Sequence, residues 1–154
     1  MRALSFSACL LLLAATLHGQ TTTTSHAASG LSWGPAPAVF PSGAKMAVVS
    51  GDPAKADMFT IELSMPDGYK IPPHFHPTDE AVEVKKGTFL VGMGDSLDLS
   101  KTNAMKVGAK GQVPAKAHHY AATKGETVVS VTAMGPFAMT YVNPADGPQK
   151  KGKP

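Results

Sequence analysis

The sequence predicts an all-β fold, an antiparallel sandwich or barrel of about ten short strands. Three observations carry this reading. Glycine and proline are abundant, 15 and 13 of 154 residues, while charged residues make up only 16%; that mix favours short strands and tight turns over a helical bundle. Turn formers recur along the chain at Gly51-Asp52-Pro53, Pro66-Asp67-Gly68, Lys110-Gly111, Lys124-Gly125 and Gly135-Pro136, at intervals compatible with short strands. No segment keeps a helical period, and the best-patterned one, Asp57–Met65, alternates with a period of two. The length suits one domain with a substantial core and is too short for two of ordinary size.

Residues 1–19 read as a secretory signal peptide. Arg2 supplies the positive start, and the run Ala8 to Ala15 supplies the apolar stretch, which is too short for a stable transmembrane helix. Cleavage after Gly19 leaves Leu17 at the third position back; cleavage after Ala27, which puts Ser25 there and extends the signal to 1–27, fits better. Either cut implies export, to a periplasm or to the medium, and leaves no membrane segment. It also removes Cys9, the single cysteine, so disulfides, iron–sulfur clusters, thiolate zinc and cysteine nucleophiles are excluded together. Residues 20–30, with the run Thr21–Thr24, form a polar spacer. The formal charge of +3 includes Arg2 and the lysines of a basic tail, 145–154, expected to be disordered. No basic stripe remains on the folded part, so a nucleic-acid partner is not expected.

The domain, residues 31–144, opens with a proline-rich arm suited to an edge of the fold; Trp33 and Phe40 are expected to cap the core. Lys45–Ser50 reads as a strand. In Asp57–Met65, Phe59, Ile61, Leu63 and Met65 share one face, which is the mark of a half-buried strand. Further strands are expected at 81–86 and 88–93, separated by a turn at Lys85-Lys86-Gly87, then at 104–107, 112–115, 118–122, 126–133 and 137–142. The valines 128, 129 and 131 make 126–133 the strongest β signal. Glu83 has the parity of a solvent-facing residue.

The candidate chemistry sits between Gly68 and Gly87. In an extended chain His74 and His76 share a face, about 6.5–7 Å apart, and Glu80 keeps their parity past a bend suggested by Pro77 and Thr78. A second pair, His118 and His119, lies on a distant strand. Strands far apart in sequence meet inside a small barrel, so three neutral imidazoles and a carboxylate could converge on one ion. Such a nitrogen and oxygen donor set suits iron, manganese, nickel, copper or zinc.

These residues resemble the cupin superfamily. Its first motif, Gly-x5-His-x-His-x3-Glu-x6-Gly, is matched by Gly68, His74, His76, Glu80 and Gly87. Its second, Gly-x5-Pro-x-Gly-x2-His-x3-Asn, is matched at Gly108, Pro114 and His119, with Lys116 where glycine is expected and Thr123 where asparagine is expected. Twenty residues, Thr88 to Val107, separate the two. The resemblance implies a double-stranded β-helix, or jelly-roll barrel, of the small single-domain kind. It implies a divalent transition metal held by His74, His76, Glu80 and His119. His118, with opposite parity, reads as a surface residue, and lysine at position 116 makes a turn different from the family's the expectation. It further implies a small-molecule ligand or substrate and a homodimer paired through sheet edges.

Four ligands on a six-coordinate ion leave two positions open, which suits dioxygenase or other oxidoreductase chemistry ahead of isomerase or lyase chemistry. A non-catalytic binding or sensing protein is the alternative. No catalytic residue is assigned; Tyr69 and Tyr120 are expected to pack, and Glu62 is either a pocket acid or a solvated residue.

Overall fold

The computed structural model describes residues 30–148. The expected signal peptide, most of the spacer and the end of the basic tail lie outside those residues. Nine strands make up the fold: β1 (Gly34–Pro35), β2 (Lys45–Ser50), β3 (Met58–Met65), β4 (Lys70–Phe75), β5 (Glu80–Met93), β6 (Asn103–Lys106), β7 (Lys110–Val113), β8 (His119–Met134) and β9 (Thr140–Tyr141). Two 3-10 turns, Leu99–Lys101 and Pro144–Asp146, complete it, and no helix among the described residues is long and apolar enough to cross a membrane.

Every pairing is antiparallel, and two long strands organise them. The first part of β8 runs beside β4, and its second part beside β3. Strand β5 follows β8 along both parts, from Glu80↔Ala133 to Met93↔His119. Its outer edge is taken first by β7 and then by β6. Two sheets result. One runs β1-β2-β3-β8-β5-β7 and uses the late half of β8 with the early half of β5; the other runs β9-β4-β8-β5-β6 and uses the remaining halves. The shared strands turn the corner between the sheets, and the core lies between the two inner faces. This is the expected jelly-roll barrel.

The corner corrects one sequence expectation. Lys85-Lys86-Gly87 is not a turn between two strands, nor is Lys124-Gly125: β5 and β8 run unbroken through both. The ladder shifts register at Lys86 and again before Thr88, as it does at a β-bulge that sharpens a bend. Gly87 and Gly125 stand at φ 75° and 74°, the left-handed region where a side chain is strained. At Gly87 an added Cβ would also fall against the Glu126 carbonyl oxygen, whereas at Gly125 it would meet open space.

Strand β3 shows how the alternating pattern builds the core. Phe59, Ile61, Leu63 and Met65 are all buried, each burial favouring folding by roughly 1.5–3 kcal/mol before entropy is counted. Thr60, Glu62 and Ser64 lie on the opposite face and are half-buried, so Glu62 is not a pocket acid. Phe40 caps the core as expected and stacks on Phe137, with ring centroids 5.7 Å apart. Trp33 does not: it is 37% exposed, because β1 is a two-residue edge strand and holds the arm at the rim. Glu83 is paired by Lys85 and Lys110 at the surface, as its parity suggested.

A further departure concerns Lys116. The turn before β8 was expected to abandon the backbone that glycine takes in the cupin motif, yet Lys116 keeps it, at φ 63°. The Lys116 N–H donates to the His76 carbonyl at 2.8 Å and the Ala117 N–H to the Pro114 carbonyl at 3.1 Å. These bonds hold a conformation that costs a non-glycine residue about 1 kcal/mol. Substitutions at the two positions should therefore act in opposite directions. Gly87→Ala is expected to lower the free energy of unfolding in urea by about 2 kcal/mol or more, and Lys116→Gly to raise it by up to about 1 kcal/mol.

Candidate metal centre

Four side chains converge at the end of the barrel where β4 finishes and β5 and β8 begin. His74 and His119 face each other as a cross-strand pair of β4 and β8, with ring centroids 4.1 Å apart. His76 follows the end of β4, its ring 5.1 Å from His74 and 5.3 Å from His119. One ring nitrogen from each of the three lies within 4.8 Å of the other two, a spacing that one ion can close to bonding distance. The chain bends at Pro77 and Thr78, and Glu80 then opens β5. Its carboxylate oxygens reach 3.6 Å from His76 Nε2 and 3.8 Å from His119 Nε2. All four residues are buried.

Hydrogen bonds decide which nitrogen each ring presents. His74 Nδ1 donates to the Pro72 carbonyl at 2.7 Å, His76 Nδ1 to the Ala138 carbonyl at 2.8 Å and His119 Nδ1 to the Ala117 carbonyl at 3.0 Å. A carbonyl oxygen only accepts, so each Nδ1 carries the proton and each neutral ring keeps its lone pair on Nε2. This is how protein backbones orient histidines that bind metals. The donor set therefore fits a divalent transition metal: three fixed imidazole nitrogens with an adjacent carboxylate.

Burial sets the electrostatics. Desolvation pushes His74 down to about 3, helped by the neighbouring His119, and lowers His76 and His119 as well. The three rings thus stay neutral where exposed histidines would be protonated, as metal binding requires. Burial raises Glu80 to about 6, opposed by the attraction of His119; a cation in the site would favour its ionised form.

The two loops that carry the four residues are tied together. Asp79 Oδ1 accepts from the Ala115 N–H at 2.8 Å, beside the bond from Lys116 to the His76 carbonyl. Thr123 fills the place of the motif's asparagine by a different route. Buried, it accepts the Tyr69 N–H at 2.9 Å and donates to the Pro66 carbonyl at 2.6 Å, which pins the turn before β4. Sequence reasoning missed Asp79, Ala138 and Phe137, whose ring lies 5.6 Å from His76; none of them occupies a motif position, although Asp79 lies directly before Glu80.

The remaining candidates stand apart from the site. His118 is half-buried, stacks on Phe75 and bonds Asp95 at 2.6 Å. Tyr69 donates to the Pro41 carbonyl and Tyr120 to the Asp98 carbonyl, so both pack rather than serve the site.

The buried rings make a prediction for the metal-free protein. As pH falls below about 6.5, unfolded histidines take up protons that the folded rings refuse, so stability is lost. Glu80 has the opposite sign. With its carboxyl raised to about 6 from 4.5, the folded state binds a proton between those values that the unfolded state releases. Three groups outweigh one, so the thermal midpoint followed by circular dichroism should fall from pH 7 to pH 5, and less steeply in His74→Gln.

No family model matches the chain, and no curated protein matches its sequence. Solved structures do. An RmlC-like cupin from Shewanella frigidimarina is 17% identical with a TM-score of 0.51, over 60% of this chain and 76% of the other. An oxalate oxidase is 23% identical with a TM-score of 0.53, over 68% of this chain and 58% of its own. The DMSP lyase DddQ from Ruegeria pomeroyi is 18% identical with a TM-score of 0.56, over 67% and 53%. The chain thus spans little more than half of the last two. With both sequence motifs converging at one end of a two-sheet barrel that superposes on such structures, the chain has the cupin fold.

Proposed function

We propose that the chain is a metal-binding cupin that acts on a small molecule, with His74, His76, His119 and Glu80 holding a divalent transition metal. The observation that carries this reading is the set of three Nδ1–H bonds to backbone carbonyls, which leaves three Nε2 lone pairs free on rings that bring one nitrogen each to within 4.8 Å of the others. Glu80 brings one negative charge, so an ion of charge +2 would leave the site near +1. Such an ion supplies Lewis-acid or redox chemistry at positions the protein leaves open.

The protein's own contribution is orientation and exclusion of water. The carbonyl bonds hold the rings, and Glu80 is the one carboxylate lining the cavity among the described residues. Dioxygenase-type or other oxidoreductase chemistry is the first reading, and isomerase or lyase chemistry the next. The fold accommodates both an oxalate oxidase and a DMSP lyase and so does not choose between them. A non-catalytic binding or sensing role is favoured by one observation: among the described residues, the cavity holds no acid or base beyond the four site residues. The proposal includes export, on the apolar run that follows Arg2, and pairing of two copies through a sheet edge.

Protein purified from its natural compartment should contain about one equivalent of a transition metal by elemental analysis, and His76→Ala much less. Less than about a tenth of an equivalent in the unsubstituted protein contradicts the reading. Dioxygen uptake by iron- or manganese-loaded protein with enolizable and catechol-like compounds separates oxidoreductase chemistry from binding without turnover.

A further inference from the structure

The wall behind the four site residues restricts what can bind there. The cavity measures about 40 Å³, room for roughly three water molecules. Apart from His74, His76, His119 and Glu80, its lining among the described residues is wholly apolar, typified by Leu63, Met65, Phe89 and Val131. No lysine, arginine, serine, threonine, asparagine or tyrosine faces it. The three buried tyrosines turn their hydroxyls elsewhere, Tyr69 to Pro41, Tyr120 to Asp98 and Tyr141 to the Val39 carbonyl. Glu80, the one carboxylate there, adds negative charge and no donor when ionised. A ligand can therefore be recognised through polar contacts at one end only, where the imidazoles meet. Its other end meets hydrocarbon.

We infer that the site takes a small molecule with a single metal-binding head and a short, uncharged, apolar body, and that it rejects ligands charged at both ends. This rests on the metal reading above and specifies the ligand class for the same site. The chemistry is one of differential burial. A methylene moved from water onto the apolar wall gains about fourfold in affinity. A second carboxylate placed there loses its hydration with no cation or donor to replace it, so it is strongly disfavoured. The cavity's size limits the body to a few carbon atoms.

The test uses the full chain loaded with Co(II), whose visible absorption reports ligands entering its coordination shell. Uptake of the ion is first verified by elemental analysis after desalting. Acetohydroxamate, butyrohydroxamate and succinic monohydroxamate are then titrated; they share a head and differ only in the body. Butyrohydroxamate is expected to bind about tenfold or more tightly than acetohydroxamate. Succinic monohydroxamate, with a carboxylate in place of the terminal methyl, is expected to bind at least about tenfold more weakly than butyrohydroxamate. Equal or tighter binding of the carboxylate-ended compound by the loaded protein overturns this inference and leaves the metal reading standing, as does an affinity that is flat across the series. Failure to take up the ion overturns both.

Discussion

The site depends on three imidazole N–H groups finding backbone carbonyls. A buried histidine that chose the other tautomer would turn a proton, not a lone pair, toward its neighbours, and one mismatched ring would spoil a three-nitrogen site. Two carbonyls come from two residues upstream of their ring, Pro72 for His74 and Ala117 for His119. Local backbone shape therefore sets those tautomers. The third comes from Ala138, 62 residues from His76 in sequence, so it exists only once the chain past β8 has packed against the end of β4. The site is assembled partly by local geometry and partly by the closed barrel.

That dependence explains the density of backbone ties around the site. The His76 carbonyl accepts from Lys116, Asp79 accepts from Ala115, and Thr78 reaches the Met134 carbonyl. Each bond links the first motif loop to the second or to the end of β8. Holding three neutral rings and a carboxylate out of water is unfavourable without an ion, and the apolar core of β3, β5 and β8 must offset it. The left-handed backbone at Lys116 belongs to the same economy: strain of about 1 kcal/mol is tolerated where it aims an N–H at the His76 carbonyl.

Much of this was legible in the sequence, for specific reasons. Alternation in 57–65 marked β3 because one face of that strand is buried and the other is not. The spacing of His74, His76, Glu80 and His119 marked the site because all four carry nitrogen or oxygen donors, which the barrel brings to one end. The continuity of β5 and β8 was hidden, since glycine after lysine reads equally as a turn or as a bulge, and only the partner strand distinguishes them. Trp33 was misplaced because hydrophobicity alone does not show that the strand it precedes is a two-residue edge. The expected change of turn at Lys116 failed because tertiary hydrogen bonds outweighed a local preference. The carbonyls of Pro72, Ala117 and Ala138 were invisible in principle, as backbone groups carry no sequence signature.

The fold itself leaves three Nε2 lone pairs free and clusters their rings. Long-range proton–nitrogen correlation NMR on the metal-free, nitrogen-15-labelled protein at neutral pH reads the tautomer of each ring directly. His74, His76 and His119 should all carry their proton on Nδ1, with His74→Gln and His119→Gln variants used to assign the signals. A proton on Nε2 of any of the three would contradict this.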